Sequence, residues 1–223
     1  MLSQYSKKQK KSLELYFRCL TSGCIHGWMR NYYVAYEFKL INKLWWKWPF
    51  LDAFKLWELK DDDDLKKQIA WLLDDGCREE YRSLHAHLFA LSEQARNKYV
   101  EVGDEKSDHA KLDVVHKCLY QLPSGNITAF GCAWAIYLSR IGVAKKYITE
   151  EEAWENKIRA ARLIQQSYSS WDDFYIAFLV GNQYFSAHEG IKNYVRITAM
   201  FDLMSGSSLL FNKVKWEQPL LPH

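Results

Sequence analysis

Apolar residues recur at helical spacing between Thr128 and Gly142, where Phe130, Ala133, Trp134, Tyr137, Leu138 and Ile141 surround the single charge of Arg140. That pattern predicts an apolar helix ended by Gly142. Thr149-Glu150-Glu151-Glu152 follows as a capping box, in which the Thr hydroxyl takes one free backbone N–H and Glu152 reaches back to the N–H of Thr149. The helix it opens turns Trp154, Ile158 and Ala161 inward and carries Arg159 and Arg162 late. A second start stands at Ser169-Ser170-Trp171-Asp172-Asp173, where either serine can be the cap. Trp171, Phe174, Tyr175 and Phe178 then form a wide aromatic stripe at i, i+3, i+4 and i+7. Two capped helices in succession read as an αα-hairpin packed on the Thr128 helix, which makes a C-terminal three-helix unit.

Upstream, Leu13, Tyr16, Phe17 and Leu20 give an amphipathic helix over Ser12 to Leu20, and Thr21-Ser22-Gly23 ends it. From Trp28 to Trp48 aromatic and aliphatic residues are too dense for a period to show. That segment reads as a largely buried helix or as an exposed aromatic patch awaiting a partner, with Pro49 breaking it. Asp61 to Asp64 suits a helix start, since carboxylates there accept backbone N–H groups and oppose the positive end of the dipole. Leu65, Ile69, Leu72 and Leu73 follow on one face, and Gly76 sits where a left-handed residue closes the helix.

Cys77 to Val100 is expected to be one polar helix, with Tyr81, Leu84, Leu88 and Leu91 on its apolar face. Glu101 to His109 is the best place for a loop or a subdivision of the chain, and Lys111 to Leu122 for another helix. Gly190 to Ser205 allows one more, and Gly206 to His223 reads as an extended tail in which Trp216, Leu220 and Leu221 tuck against the body. The expectation is an all-α fold, a compact multi-helix single domain over residues 1–223 with an aromatic-rich core.

Composition sharpens this picture without giving it a reaction. The chain has 223 residues, enough for a sizeable core, and its 10 Trp, 14 Tyr and 11 Phe must pack somewhere. A net charge of +3 supplies no field that argues for nucleic acid, and no basic stripe is interleaved with the aromatics. The five cysteines are odd in number and form no CxxC pair, which disfavours a disulfide framework or a zinc module. No apolar run approaches the ~20 residues that span a bilayer, and the basic N-terminus lacks a leader's cleavage site, so a reducing cytoplasm is the expected location. His85 and His87 point apart on a helix, and His109 and His116 stand two turns apart, so neither pair predicts a metal, and no cofactor is expected. Cys118 near His116 reads as a buried, inert thiol rather than a nucleophile.

The segment Arg140-Ile141-Gly142, the run Tyr147 to Trp154, Ala160-Ala161, and Ser169 to Phe174 through Gly181 and Phe185 together resemble the bacterial family called domain of unknown function 1266. The likeness is clear over residues 128–187 and weaker over Ile69 to Tyr81, giving a family-like core of about residues 65–187. It brings no assigned activity. The family pattern has an Asp and an Arg in the apolar helix where this chain has Gly131 and Trp134, and an Arg after the later Gly where it has Asn182. If that charged set forms a site in relatives, it is degraded here.

No phosphate-binding loop, dinucleotide fingerprint, HExxH or GxSxG is present, so the sequence names no catalytic residue. Any polar site is expected where Arg140, Glu151, Glu152 and Arg159 crowd the join between aromatic-rich helices, with Asp172 and Asp173 as an acidic surface; caps and surface pairs are the plainer use of the same groups. The leading expectation is a non-catalytic protein that binds another protein, in its most concrete form an immunity-type protein that neutralises a toxin domain. The alternative is a hydrolase or transferase with its site near the 128–187 helices.

Overall fold

The structure, a computed structural model, describes residues 2–24, 53–102, 106–122, 126–189 and 214–222. Among these residues it is all-α, with eight α-helices and no strand. They are α1 (Lys7–Leu20), α2 (Asp62–Asp74), α3 (Arg78–Ala90), α4 (Glu93–Glu101), α5 (Lys106–Lys117), α6 (Thr128–Lys145), α7 (Glu150–Ser167) and α8 (Trp171–Glu189). The aromatic run from Trp28 to Trp48, with Pro49, and the helix expected after Gly190 lie outside the described residues.

Helix α6 is the axis of the molecule. Every residue from Thr128 to Gly142 is buried, as expected of a helix that is apolar on all sides and covered from all sides. It is covered by α2, α7 and α8, so the C-terminal three-helix unit stands. Both capped helices pack on α6 more extensively than on each other. Helix α5 packs on α8, and α3 and α4 pack on α5, forming an outer layer.

The helix starts follow the sequence closely. Asp61 caps α2, its carboxylate accepting the Asp64 N–H at 2.9 Å. Thr149 and Glu152 form the capping box of α7 in both directions. At α8 the serines divide the work: Ser170 Oγ accepts the Asp173 N–H, and the Asp173 carboxylate accepts from Ser169. Helix α1 begins earlier than its apolar residues suggest, because Ser6 and Gln9 make a capping box that draws Lys7, Lys8, Lys10 and Lys11 into the helix.

Other boundaries also differ from expectation: the helix expected over Lys111 to Leu122 runs from Lys106 to Lys117 and takes in part of the loop expected at Glu101 to His109. Helix α6 runs past Gly142 to Lys145 and closes on Lys146, a non-glycine residue at φ 62°. Gly142 is there for packing, since a Cβ on it would lie 2.9 Å from the side chains of Leu65 and Ile148. The expected helix over Cys77 to Val100 is two helices, broken at Leu91 because Ser92 caps α4 by accepting the Ala95 N–H. In the tail, Val214 and Leu220 are buried and the Trp216 indole donates to the Tyr168 carbonyl at 3.2 Å, but Leu221 is exposed. Leu220 is held by the Tyr5 hydroxyl, which donates to its carbonyl, and its successor faces solvent.

The crossing of α2 on α6 depends on two glycines. A Cβ on Gly131 would stand 2.6 Å from the Leu72 carbonyl oxygen, closer than any side chain is tolerated, and Gly76 lies directly against it. Gly76 has φ +56°, as its place at the end of α2 predicts.

Candidate functional site

The six charged residues singled out by sequence are spread over three helices. Arg140 is buried in α6 and donates from Nη1 to the Thr21 hydroxyl at 3.1 Å. Glu151 accepts the Leu2 N–H at 2.8 Å, and Glu152 caps α7, where the Thr149 backbone N–H and then its hydroxyl hold the carboxyl below its ordinary range. Arg159 makes an exposed pair with Asp74 at 2.5 Å, a contact worth about 1 kcal/mol at most. Asp172 is exposed in the first turn of α8. Asp173 is lowered by the Ser169 hydroxyl on its carboxylate. Glu151 and Glu152 share one helix turn; Arg159 is about 10 Å further along α7 and the aspartates open another helix.

Beside Arg140 lies a pair that sequence reading missed. Lys157 of α7 is buried, bonded to Glu14 of α1, and packed over the rings of Trp154 and Phe17 at 5.0 and 5.3 Å. Burial pulls its ammonium below the ordinary lysine range, and Glu14 opposes that shift. The pair ties α1 to α7 and leaves no open face on Lys157.

Two other places are shaped differently. The first is a pocket of about 360 Å³ between the turn at residues 53–59, α2, α5 and α8. Trp57, Trp71 and Phe185 give it aromatic walls, with Trp57 and Phe185 at 4.9 Å and Trp57 and Trp71 at 6.3 Å between ring centres. Glu58, Gln68, Cys77, Glu80 and Lys111 supply its polar lining. Glu58 and Cys77 stand at φ 50° and 68°, two of the three non-glycine residues with positive φ among the described residues. Each such conformation costs on the order of 1 kcal/mol, and strain of this kind gathers at functional clefts. Lys111, its side chain 7% exposed, donates to Glu80 at 2.5 Å and lies 5.2 Å from the Tyr184 ring centre. Burial, and then the neighbouring Glu80 carboxylate, push the Tyr184 hydroxyl far above its ordinary range, although it makes no hydrogen bond of proper geometry.

The second is a surface. Phe89 at the end of α3 is 60% exposed and Tyr120, just past α5, is 73% exposed, and their rings meet edge to face at 6.2 Å. Arg96 of α4 lies beneath, 8% exposed, with its guanidinium 5.5 Å from the Tyr120 ring centre and donating to the Tyr120 hydroxyl at 3.0 Å. His85 stacks on Phe89, and its Nε2 is 3.0 Å from the Leu119 carbonyl oxygen. The one clue in the sequence is that Phe89 falls off the Tyr81, Leu84, Leu88 stripe.

The buried cysteines are poor reaction centres. Burial pushes the Cys19 and Cys132 thiols up to about 12 and raises Cys118 as well, so each stays protonated near neutrality. Among the described residues no three His, Cys, Asp or Glu side chains gather as metal ligands, and no helix is long and apolar enough to cross a membrane.

Fold and surfaces define an all-α protein laid around one buried helix, with a walled pocket and an aromatic patch on its outer layer. The chain belongs to the family described as protein of unknown function (DUF1266), whose sequence model matches residues 55–216. Both the pocket and the patch fall inside that span, whereas α1 falls outside it. The chain is similar to two Escherichia coli (strain K12) proteins. One is the "Uncharacterized protein YbeR", 25% identical over 63% of this chain and 59% of that protein, so the chain spans about three-fifths of that relative's length. The other is the "Uncharacterized protein YbeU", 26% identical over 74% of each. No solved structure matches.

Proposed function

We propose that this is a non-catalytic protein that binds another protein, with the Phe89–Tyr120 pair over Arg96 at the centre of its interface. The observation that carries this reading is that pair itself: two large rings held against each other in solvent, with a buried guanidinium under one of them. Aromatic and arginine side chains dominate the energy of interfaces, and rings already fixed by contact lose little freedom on binding. The finer form of the proposal is an immunity-type protein that neutralises a toxin domain in a bacterial cytoplasm. It is supported by the exposed acids at the start of α2, which suit a basic cleft on the partner, and by five cysteines that form no disulfide.

The alternative, a hydrolase or transferase acting near residues 128–187, has less support. In that region Arg140 is buried against Thr21, Cys132 is a protonated thiol, and Glu152 and Asp173 serve as caps.

Affinity purification from the native host, wild type beside Phe89→Ala, tests the proposal. Wild type is expected to retain a stoichiometric protein partner, and Phe89→Ala to weaken that complex by about 2 kcal/mol, roughly thirty-fold. Tyr120→Ala should weaken it further, its stability being followed in parallel because it also strips Arg96 of an acceptor. No stable complex, or one indifferent to both substitutions, sinks the reading. If the retained partner is a toxin, co-expression should relieve its toxicity and Phe89→Ala should restore it.

A further inference from the structure

The pocket between α2, α5 and α8 is at the other end of α3 from the aromatic patch, and its chemistry is different. Its rings are Trp57, Trp71 and Phe185, and its accessible charge is negative. Glu58 is exposed at the wall, and Glu80 keeps 48% of its side chain open, while the Lys111 ammonium is 7% exposed and already engaged by Glu80 and the Tyr184 ring. A molecule arriving from solvent therefore meets carboxylates and π-faces before it meets the lysine. Trp57 is 9% exposed and forms part of this aromatic wall.

We infer that this pocket is a binding site for a small organic cation, an amine carried on an apolar or aromatic body, held by the Trp57–Trp71–Phe185 walls and the Glu58 and Glu80 carboxylates. Ring faces attract ammonium groups through their quadrupole, and adjacent carboxylates make the same place unfavourable for anions. A volume of about 360 Å³ is ample for one ring and a short amine chain. This inference is independent of the protein-binding reading, because neither Phe89 nor Tyr120 lines the pocket.

Calorimetry on the full chain with three probes of one shape tests it: phenethylamine, a cation at neutral pH, neutral phenylethanol and anionic phenylpropionate. Phenethylamine is expected to bind saturably with a Kd of about 1 mM or tighter, and the other two at least about tenfold more weakly. Trp71→Leu should weaken phenethylamine about tenfold by removing a wall, and Glu58→Gln about three-fold. Glu58 is exposed and its replacement leaves no buried partner, so that variant reports even if Trp71→Leu fails to fold. Absence of saturable binding, equal or tighter binding of the anion, or unchanged affinity in Glu58→Gln and a folded Trp71→Leu overturns the inference.

Discussion

Helices α6 and α3 use aromatic residues in opposite ways. On α6, Phe130, Trp134 and Tyr137 are each 1% exposed, whereas on α3 Phe89 stands in solvent against Tyr120. The difference lies in what covers each helix. Three helices pack on α6, while among the described helices α3 packs extensively on α5 alone. A helix with one close neighbour has a face left over, and a ring on that face is available to something outside the chain. An aromatic-rich composition therefore predicts a core only where enough neighbours exist to bury it.

The sharpest way to break this comparison is to truncate one ring on each helix. Trp134, 1% exposed, packs against Trp57 and Tyr137 with ring centres 5.4 and 5.7 Å away. Trp134→Ala should destabilise the fold by about 3–5 kcal/mol, read from urea unfolding midpoints. Phe89→Ala should cost a small fraction of that. Equal losses would mean that the outer layer is as integral to the core as α6 is.

The next effect is smaller and tests how α6 earns its cover. Gly131→Ala adds one methyl group where the Leu72 carbonyl oxygen leaves no room. Overpacking costs about 1–3 kcal/mol, towards the upper end here because the atom met is backbone, and the better helix propensity of Ala returns about 1 kcal/mol, so a net loss of up to about 2 kcal/mol is expected. A variant as stable as wild type would show that α2 rides on α6 with slack.

The same contrast governs what the sequence revealed. Helix starts were legible at Asp61, Thr149 and Ser170 because a cap and the backbone N–H it accepts lie within three residues of each other. The apolar surround of Arg140 was legible because helical spacing is local too. The break at Leu91 was hidden, since Leu91 continues the period of Leu84 and Leu88 while Ser92 caps a new helix without an acidic residue three on. Gly142 misled for a related reason: a glycine that ends a helix and one that admits a neighbour look alike until Leu65 and Ile148 are placed beside it. The six charged residues were found as a crowd in sequence, but the partners of Arg140, Glu151 and Arg159, namely Thr21, Leu2 and Asp74, come from elsewhere in the chain. The pocket was invisible altogether, because Trp57, Glu80, Lys111 and Phe185 meet only through the packing of helices far apart in sequence.

The smallest expected effect probes that local layer of information directly. Thr149→Ala removes the hydroxyl that accepts the Glu152 N–H, and should cost about 1 kcal/mol, concentrated as faster hydrogen exchange in the first turn of α7. The partner residue adds a pH dependence. The Thr149 backbone N–H, first, and its hydroxyl hold the Glu152 carboxyl below its ordinary 4.5, so the folded state binds that proton less readily than the unfolded chain. Its contribution is therefore fully present above the unfolded value and fades as pH falls through the folded one. Wild type should exceed Glu152→Gln in stability at neutral pH, and the gap should close as pH falls below 4.5 and through the folded value. A gap that stayed constant would assign the effect to shape rather than charge, and the N-terminus of α7 would then owe its order to packing on α6, as the rest of that helix does.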